Sequence, residues 1–290
     1  MLKNADINIR DPFVIAIPEE RQYYLTGTIG GHASSGMAAG FNVYVGADLV
    51  NWEGPIPAYR PAPDFWADRN YWAPEIHAYN GRYFMFASFK AEGVCRGTQI
   101  LVADSPRGPF LPHAPRPVTP AEWECLDGTL HIDATGKPWM VFCHEWVQVH
   151  DGEICALPLS ADLRDPIGKP LMLFRASEAT WIRPFAGQYD FVTDGPFLYR
   201  ANNGQLLMLW SSFGHGGYTL GVARSLSGTV IGPWTQDTEP LYTSDGGHGM
   251  LFHAFDGQLM LALHQPNSTP NERPVFIAVE DRNGTLSIRK

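Results

Sequence analysis

The feature that most constrains this chain is a fivefold internal repeat, because strand-turn-strand units recurring every 40 to 60 residues or so bury their apolar faces only by packing on one another. Apolar, aromatic-rich strand cores recur at residues 22–26, 81–89, 136–142, 204–211 and 257–263. Four of them open on Gly and one or two polar residues, a turn signal running into β-forming residues. A second strand follows each, at 41–45, 98–103, 154–159, 218–223 and 275–279, and then a polar turn. Helical periodicity is absent, while 29 Gly and 24 Pro supply the turns of an all-β chain. Five short antiparallel sheets set radially leave only short, protected edges. The expectation is therefore an all-β, five-bladed propeller, a single domain over 1–290 with its site in the central funnel. Two stacked sandwiches give no reason for five units.

The repeat also places carboxylates. Asp11, Asp127 and Asp194 each stand 13 residues before a strand-core residue (Tyr24, Met140, Leu207), and His248 stands 12 before Met260. The same step back from Phe84 reaches Trp72, with Glu75 three residues later. These positions open the first strand of each blade, the one nearest the axis. One Asp-Pro or Asp-Gly dipeptide is ordinary turn chemistry. Three at one phase, each running into an apolar strand (DPFVIAI, DGTLHID, DGPFLYR), point to a common site. Convergent carboxylates suit glycoside hydrolysis: an ionised one activates water, a protonated one serves the leaving oxygen, and a third raises the acid's pKa by repulsion.

Composition narrows the partners. Twenty-one basic against 30 acidic residues leave a net charge of -9 with no basic stripe, which argues against nucleic acid and anionic membrane. No apolar run approaches a membrane span, and residues 1–10 lack a signal-type apolar core, so a soluble, cytoplasmic protein is expected. Cys95, Cys125, Cys143 and Cys155 match no metal or redox spacing and read as reduced, buried thiols. The oligomeric state has no signature in the sequence.

At these residues the chain resembles glycoside hydrolase family 43, five-bladed propellers that cleave with inversion, mainly as β-xylosidases, α-L-arabinofuranosidases and arabinanases. The motifs, in the family's order, are 10–13 (RDPF), 71–75 (YWAPE), 126–133 (LDGTLHID), 193–198 (TDGPFL) and 246–250 (GGHGM). The resemblance implies that Asp11 is the general base, Asp127 the pKa-modulating aspartate and Asp194 the general acid. Most members carry Glu at the acid position; Asp is one methylene shorter, which withdraws the carboxyl by about 1.5 Å. Glu145, in CHEW, is the substitute acid to examine, its alternative being a structural carboxylate. His248 matches the family's channel histidine, beside calcium or ordered water at the axis. The reading is that no cofactor is required, with calcium at the axis and His248 as its candidate ligand. Trp72, with Phe13 or Trp146, is a candidate sugar platform, Glu75 and Arg273 are further sugar contacts, and His215 in FGHGG is a more distant one.

The resemblance implies an exo-acting enzyme that removes terminal α-L-arabinofuranosyl or β-D-xylosyl units from oligosaccharides, its funnel narrowed by loops at 30–40 and 66–71. The alternatives are a β-galactofuranosidase or exo-β-1,3-galactanase of the same fold, or an inactive carbohydrate-binding propeller, suggested by the missing Glu.

Overall fold

In the computed structural model, which describes residues 1–30 and 40–289, the strands fall into five antiparallel sheets. Most of the 30–40 loop lies outside the described residues. Blade one comprises Ile9–Ile17, Gln22–Ile29, Phe41–Gly46 and Asn51–Tyr59, with Leu2–Lys3 on its outer edge. Blade two runs Arg69–Tyr79, Arg82–Ala91, Val94–Ala103 and Leu111–Pro112. Blade three runs Cys125–Ile132, Pro138–His144, Glu153–Pro158 and Leu171–Arg175. Blade four is Asp194–Arg200, Leu206–Gly214, Gly217–Ser225 and Trp234–Gln236. Blade five is Gly247–His253, Leu259–Gln265, Arg273–Arg282 and Thr285–Ile288. The strand cores read from the sequence are the second strands, and the first strands of neighbouring blades pack side by side around the axis.

Because each sheet is covered on both faces, its middle strands are apolar throughout rather than alternating. Leu206 to Ser212 are all buried, for example. Five apolar clusters fill the five gaps between blades. Between blades three and four Trp210 packs on Trp181 and Phe174, with ring centroids 5.0 and 5.5 Å away. Between blades one and two Phe41, Tyr59, Tyr71 and Phe89 form the equivalent aromatic block. Within blade two the inner hairpin turns on Asn80 and Gly81, both at positive φ (48 and 75), the left-handed pair that matches strand twist.

Among the described residues each sheet draws its strands from one continuous stretch, so side chains rather than a shared strand close the ring between blades five and one. Tyr23 stacks on Phe255 at 4.1 Å and accepts its N–H at 2.9 Å. Asn8 donates to the Pro270 and Glu272 carbonyls at 2.7 and 2.9 Å. Arg10 reaches the fully buried carboxylate of Glu272 at 3.1 Å. Arg273 is spent on this seam: its guanidinium donates to the carbonyls of Ala5, Pro270 and Glu272 at 2.7, 3.1 and 2.8 Å.

Removing a buried partner strands the other charge, at a cost of about 3–5 kcal/mol when both are enclosed. Arg10 stays 23% exposed. Glu272→Ala should therefore lower stability by about 2–3 kcal/mol in urea unfolding, whereas removing the exposed Glu92 should cost under about 0.5 kcal/mol.

Candidate active site

At the head of all five inner strands one extra residue is inserted. Arg10 to Phe13 takes three steps where the partner strand takes two from Thr28 to Thr26. The same bulge recurs at Trp72 to Glu75, Leu126 to Thr129, Asp194 to Phe197 and Gly247 to Met250. The residue after the first paired position adopts positive φ in each: Asp11 (52), Ala73 (45), Asp127 (56), Gly195 (52) and His248 (51). A bulge re-aims its side chains. Here both positions can face the funnel, so Arg10, Trp72, Leu126 and Asp194 line it together with Asp11, Asp127 and His248.

The phase read from the sequence needs one correction. Asp11, Asp127 and His248 are equivalent, but Asp194 stands one residue earlier and Gly195 holds its blade's bulge position. Blades three and four have five-residue turns alike, at 133–137 and 201–205, but the count in blade four starts from Leu207, whereas the residue equivalent to Met140 is Met208. There is also a steric reason for glycine at 195. A Cβ there would lie 2.7 Å from the His248 ring, so blade four supplies its carboxylate from the preceding residue.

The funnel is a cavity of about 450 Å³. His248 Nδ1 lies 3.2 Å from Asp11 Oδ1 and 3.7 Å from Asp127 Oδ2. Burial alone would lower the pKa of His248, but these carboxylates raise it to about 10 and hold an imidazolium at the axis. Burial would raise Asp11, yet His248, Arg10 and His264 outweigh it and hold its carboxyl well below the usual range. Its Oδ2 also accepts the Thr28 hydroxyl at 2.6 Å. Asp127 is pushed up to about 8 by burial and by its neighbours Asp194 and Asp11, which outweigh the attraction of His248. Burial raises Asp194 as well, against His248 and the Tyr218 hydroxyl, which donates to Oδ2 at 2.9 Å. One carboxylate is thus kept ionised while a neighbouring pair retains a proton, in one concave space. General acid–base chemistry needs that division.

Two walls stand on this floor. Arg96, paired with Glu145, lies 4.3 Å above the Trp72 ring and fixes its orientation. Glu145 lines the funnel, but its carboxylate is committed to that guanidinium. Next to Glu145, Trp146 begins an aromatic row with Phe185 and Phe213, at 5.6 and 4.6 Å, that ends on Tyr218, 5.4 Å further. Phe13 sits on the axis against His77 and Phe197, at 5.0 and 6.2 Å, and is absent from the funnel's lining. Glu75 is buried with His77 at 2.9 Å, also apart from the lining. None of residues 66–71 is in the funnel's lining; Ala67 and Tyr71 belong to the core between blades one and two, with Trp66 packed against it, and Asn70 accepts from Arg96 at 3.4 Å. His215 pairs with Arg183 in a separate cavity on blade four.

Residues 6–281 match the model of glycosyl hydrolases family 43. The chain belongs to that family. Its structure superposes on an endo-arabinase of Bacteroides thetaiotaomicron VPI-5482 with a TM-score of 0.91, at 42% identity over 98% of both chains. It shares its fold with an endo-1,4-β-xylanase of the same bacterium, at TM-score 0.80, 24% identity, and 99% and 96% of the two chains. A xylosidase/arabinosidase of Bacteroides ovatus is 26% identical over 189 residues, 52% of this chain and 57% of that relative, so the match covers little more than half of its length.

Arg10 lines the funnel and Arg273, expected as a sugar contact, does not: its guanidinium is spent on backbone carbonyls at the seam. The surroundings of His248 do not fit calcium. Calcium takes six to eight oxygens, whereas the carboxylate oxygens set against His248 Nδ1 are two, Asp11 Oδ1 at 3.2 Å and Asp127 Oδ2 at 3.7 Å. Among the described residues, moreover, no group of three His, Cys, Asp or Glu is arranged to hold a metal. The sequence reading missed Tyr218, Arg10 and His264. The last was findable, since the second strands end on a recurring series, Thr28, Ser88, Cys143, Ser211 and His264, each paired with the residue before a bulge.

His264 Nδ1 accepts the Asp11 N–H at 3.2 Å, so its proton sits on Nε2, toward Asn267 Oδ1. Burial lowers its pKa to about 4. In ¹H–¹⁵N ring spectra between pH 5 and 9, His248 should show both nitrogens protonated and His264 the neutral Nε2–H form. A neutral His248 at pH 7 would contradict this charge arrangement.

Proposed function

We propose that this family 43 member hydrolyses α-L-arabinofuranosyl or β-D-xylosyl linkages in oligosaccharides with inversion, arabinofuranosyl linkages first. The observation that carries the reading is the single cavity in which Asp11 is held ionised while the Asp127–Asp194 pair retains a proton. In the proposed step Asp11 takes a proton from water as the water oxygen bonds to the anomeric carbon. The bond to the leaving oxygen breaks, and that oxygen takes the proton of Asp194. Because Oδ2 of Asp194 accepts the Tyr218 hydroxyl, the acidic proton belongs on Oδ1, the free edge. Asp127 and the His248 cation set the balance between the two charge states.

The likeness to an endo-arabinase over both whole chains supports the arabinofuranosyl preference. Trp72, stiffened by Arg96, suits the apolar face of a sugar ring, and Arg10 and Asn267 supply polar groups in the same lining. Release of terminal units is supported by a funnel plugged beneath by Phe13, Phe197 and His77, into which a chain end fits. Internal cleavage is the second reading, favoured by the activity named for that same structural neighbour. The donor set around His248 supports a reaction independent of metal, so chelation with EDTA should leave kcat unchanged.

Arabinopentaose and xylopentaose digests decide the substrate and the cut: monosaccharide from the first minutes supports terminal release, and early di- and trisaccharides support the internal cut. Binding of oligosaccharide without any turnover would sink the hydrolase reading, and faster hydrolysis of nitrophenyl galactofuranoside or galactoside would sink the pentose one.

Asp11→Asn should lower kcat by about 10²–10⁴ on every substrate. Asp194→Asn should do so on oligosaccharides but far less on nitrophenyl glycosides, whose leaving group needs little protonation. Rate should fall with rising pH as the buried pair loses its proton, near the value of about 8 at Asp127. A flat profile up to pH 10 would contradict the assignment.

A further inference from the structure

The bulge amides at the five strand heads point at the neighbouring blade, and each is buried and needs an acceptor. Four find one at equivalent places. Thr28 Oγ1 accepts the Ala73 N–H at 2.7 Å, and Ser88 Oγ accepts that of Asp127 at 3.0 Å. Ser211 Oγ accepts the His248 N–H at 2.8 Å, and His264 Nδ1 accepts that of Asp11 at 3.2 Å. Every acceptor is the second-strand residue paired with the position before its own blade's bulge, and it serves the next blade round the ring.

The fifth residue of this series is Cys143, paired with Leu126 and fully buried. A thiol is a weak acceptor. The amide it faces by symmetry, that of Gly195, donates instead to Asp127 Oδ2 at 2.9 Å. The one blade that departs from the ring's rule therefore joins two of the three funnel aspartates, since Gly195 follows Asp194 directly.

We propose that Cys143 is a positioning residue: by offering the Gly195 amide no strong acceptor, it leaves that amide to the Asp127 carboxylate, where the bond favours the ionised form of Asp127 and biases the shared proton toward Asp194. The inference rests on the proposed roles of these aspartates. A hydrogen bond to the charged form of a carboxylate favours that form. Of the two ways to place one proton on the pair, the bond favours the one in which Asp194 is the acid, working against the burial and repulsion that raise Asp127. Tyr218 pulls the other way through its bond to Asp194 Oδ2, so the amide is the counterweight. The remaining ionisable groups facing Asp127 are Asp11 from blade one, Asp194 from blade four and His248 from blade five, with the Glu145–Arg96 pair further out.

Cys143→Ser restores the ring's rule and Cys143→Ala does not, so the substitution nearer in size should be the more harmful to acid catalysis. With Ser, the hydroxyl captures the Gly195 amide and the proton moves toward Asp127. On arabinopentaose kcat should fall roughly tenfold, the scale of one hydrogen bond to a charged group, with little change on a nitrophenyl arabinoside. The basic limb of the pH profile should move upward, because the doubly ionised pair has lost a donor. With Ala the protein loses stability through the cavity, but the limb stays in place.

The same proposal has a readout without turnover. In wild type and Cys143→Ala the Gly195 amide proton should shift as the carboxyl pair titrates, and in Cys143→Ser it should not. Coincident limbs in all three proteins, or a Gly195 amide that still tracks the titration in the Ser variant or fails to track it in the Ala variant, would overturn the inference. A wild type that releases no sugar would sink the proposed function instead, and the amide titration would still decide the role of Cys143.

Discussion

The structure depends on a local backbone event, the one-residue bulge at the head of each inner strand. A regular strand alternates its side chains, so only every second residue would face the axis. The inserted residue at positive φ brings consecutive side chains to the funnel, and five bulges in a ring collect them in one place. Left-handed backbone is costly for residues other than Gly, and such strain persists only where the surroundings over-determine it. Here they do: in four blades the bulge amide is tied to a side chain of the preceding blade, so closing the ring and shaping the site are one structural act.

The same geometry fixes the electrostatics. Three buried aspartates around one axis repel, and burial by itself would keep them all protonated. The His248 cation and Arg10 offset this unevenly, drawing Asp11 into the ionised form while Asp127 and Asp194 hold a proton between them. Hydrogen bonds refine the division, from Thr28 to Asp11, Tyr218 to Asp194 and Gly195 to Asp127. Unequal environments around chemically equal groups turn a cluster of acids into a base and an acid.

Much of this was legible in the sequence because repeats and hydrophobic runs are local signals. The five second strands, the five-bladed ring and the placing of Asp11, Asp127 and His248 at inner-strand heads all followed from counting. Counting failed where a run of similar apolar residues hides the register: Leu207 was counted as the equivalent of Met140 although Met208 is, which put Asp194 one residue out of phase. It also failed for contacts that depend on side-chain reach. Arg273 is as plausible a sugar ligand as Arg10 by composition; both guanidinia bond at the closing seam between blades five and one, and only the funnel's lining shows that Arg10 faces the cavity as well. Glu75 looked like a funnel group because it follows Trp72, but past the bulge regular alternation turns it to His77.

The central claim is that Asp11 acts through a water molecule rather than on the sugar itself. Proton NMR of the first reducing sugar released, recorded before mutarotation, tests it most directly. An anomer opposite to that of the substrate linkage is the predicted result, and a retained anomer would contradict the account.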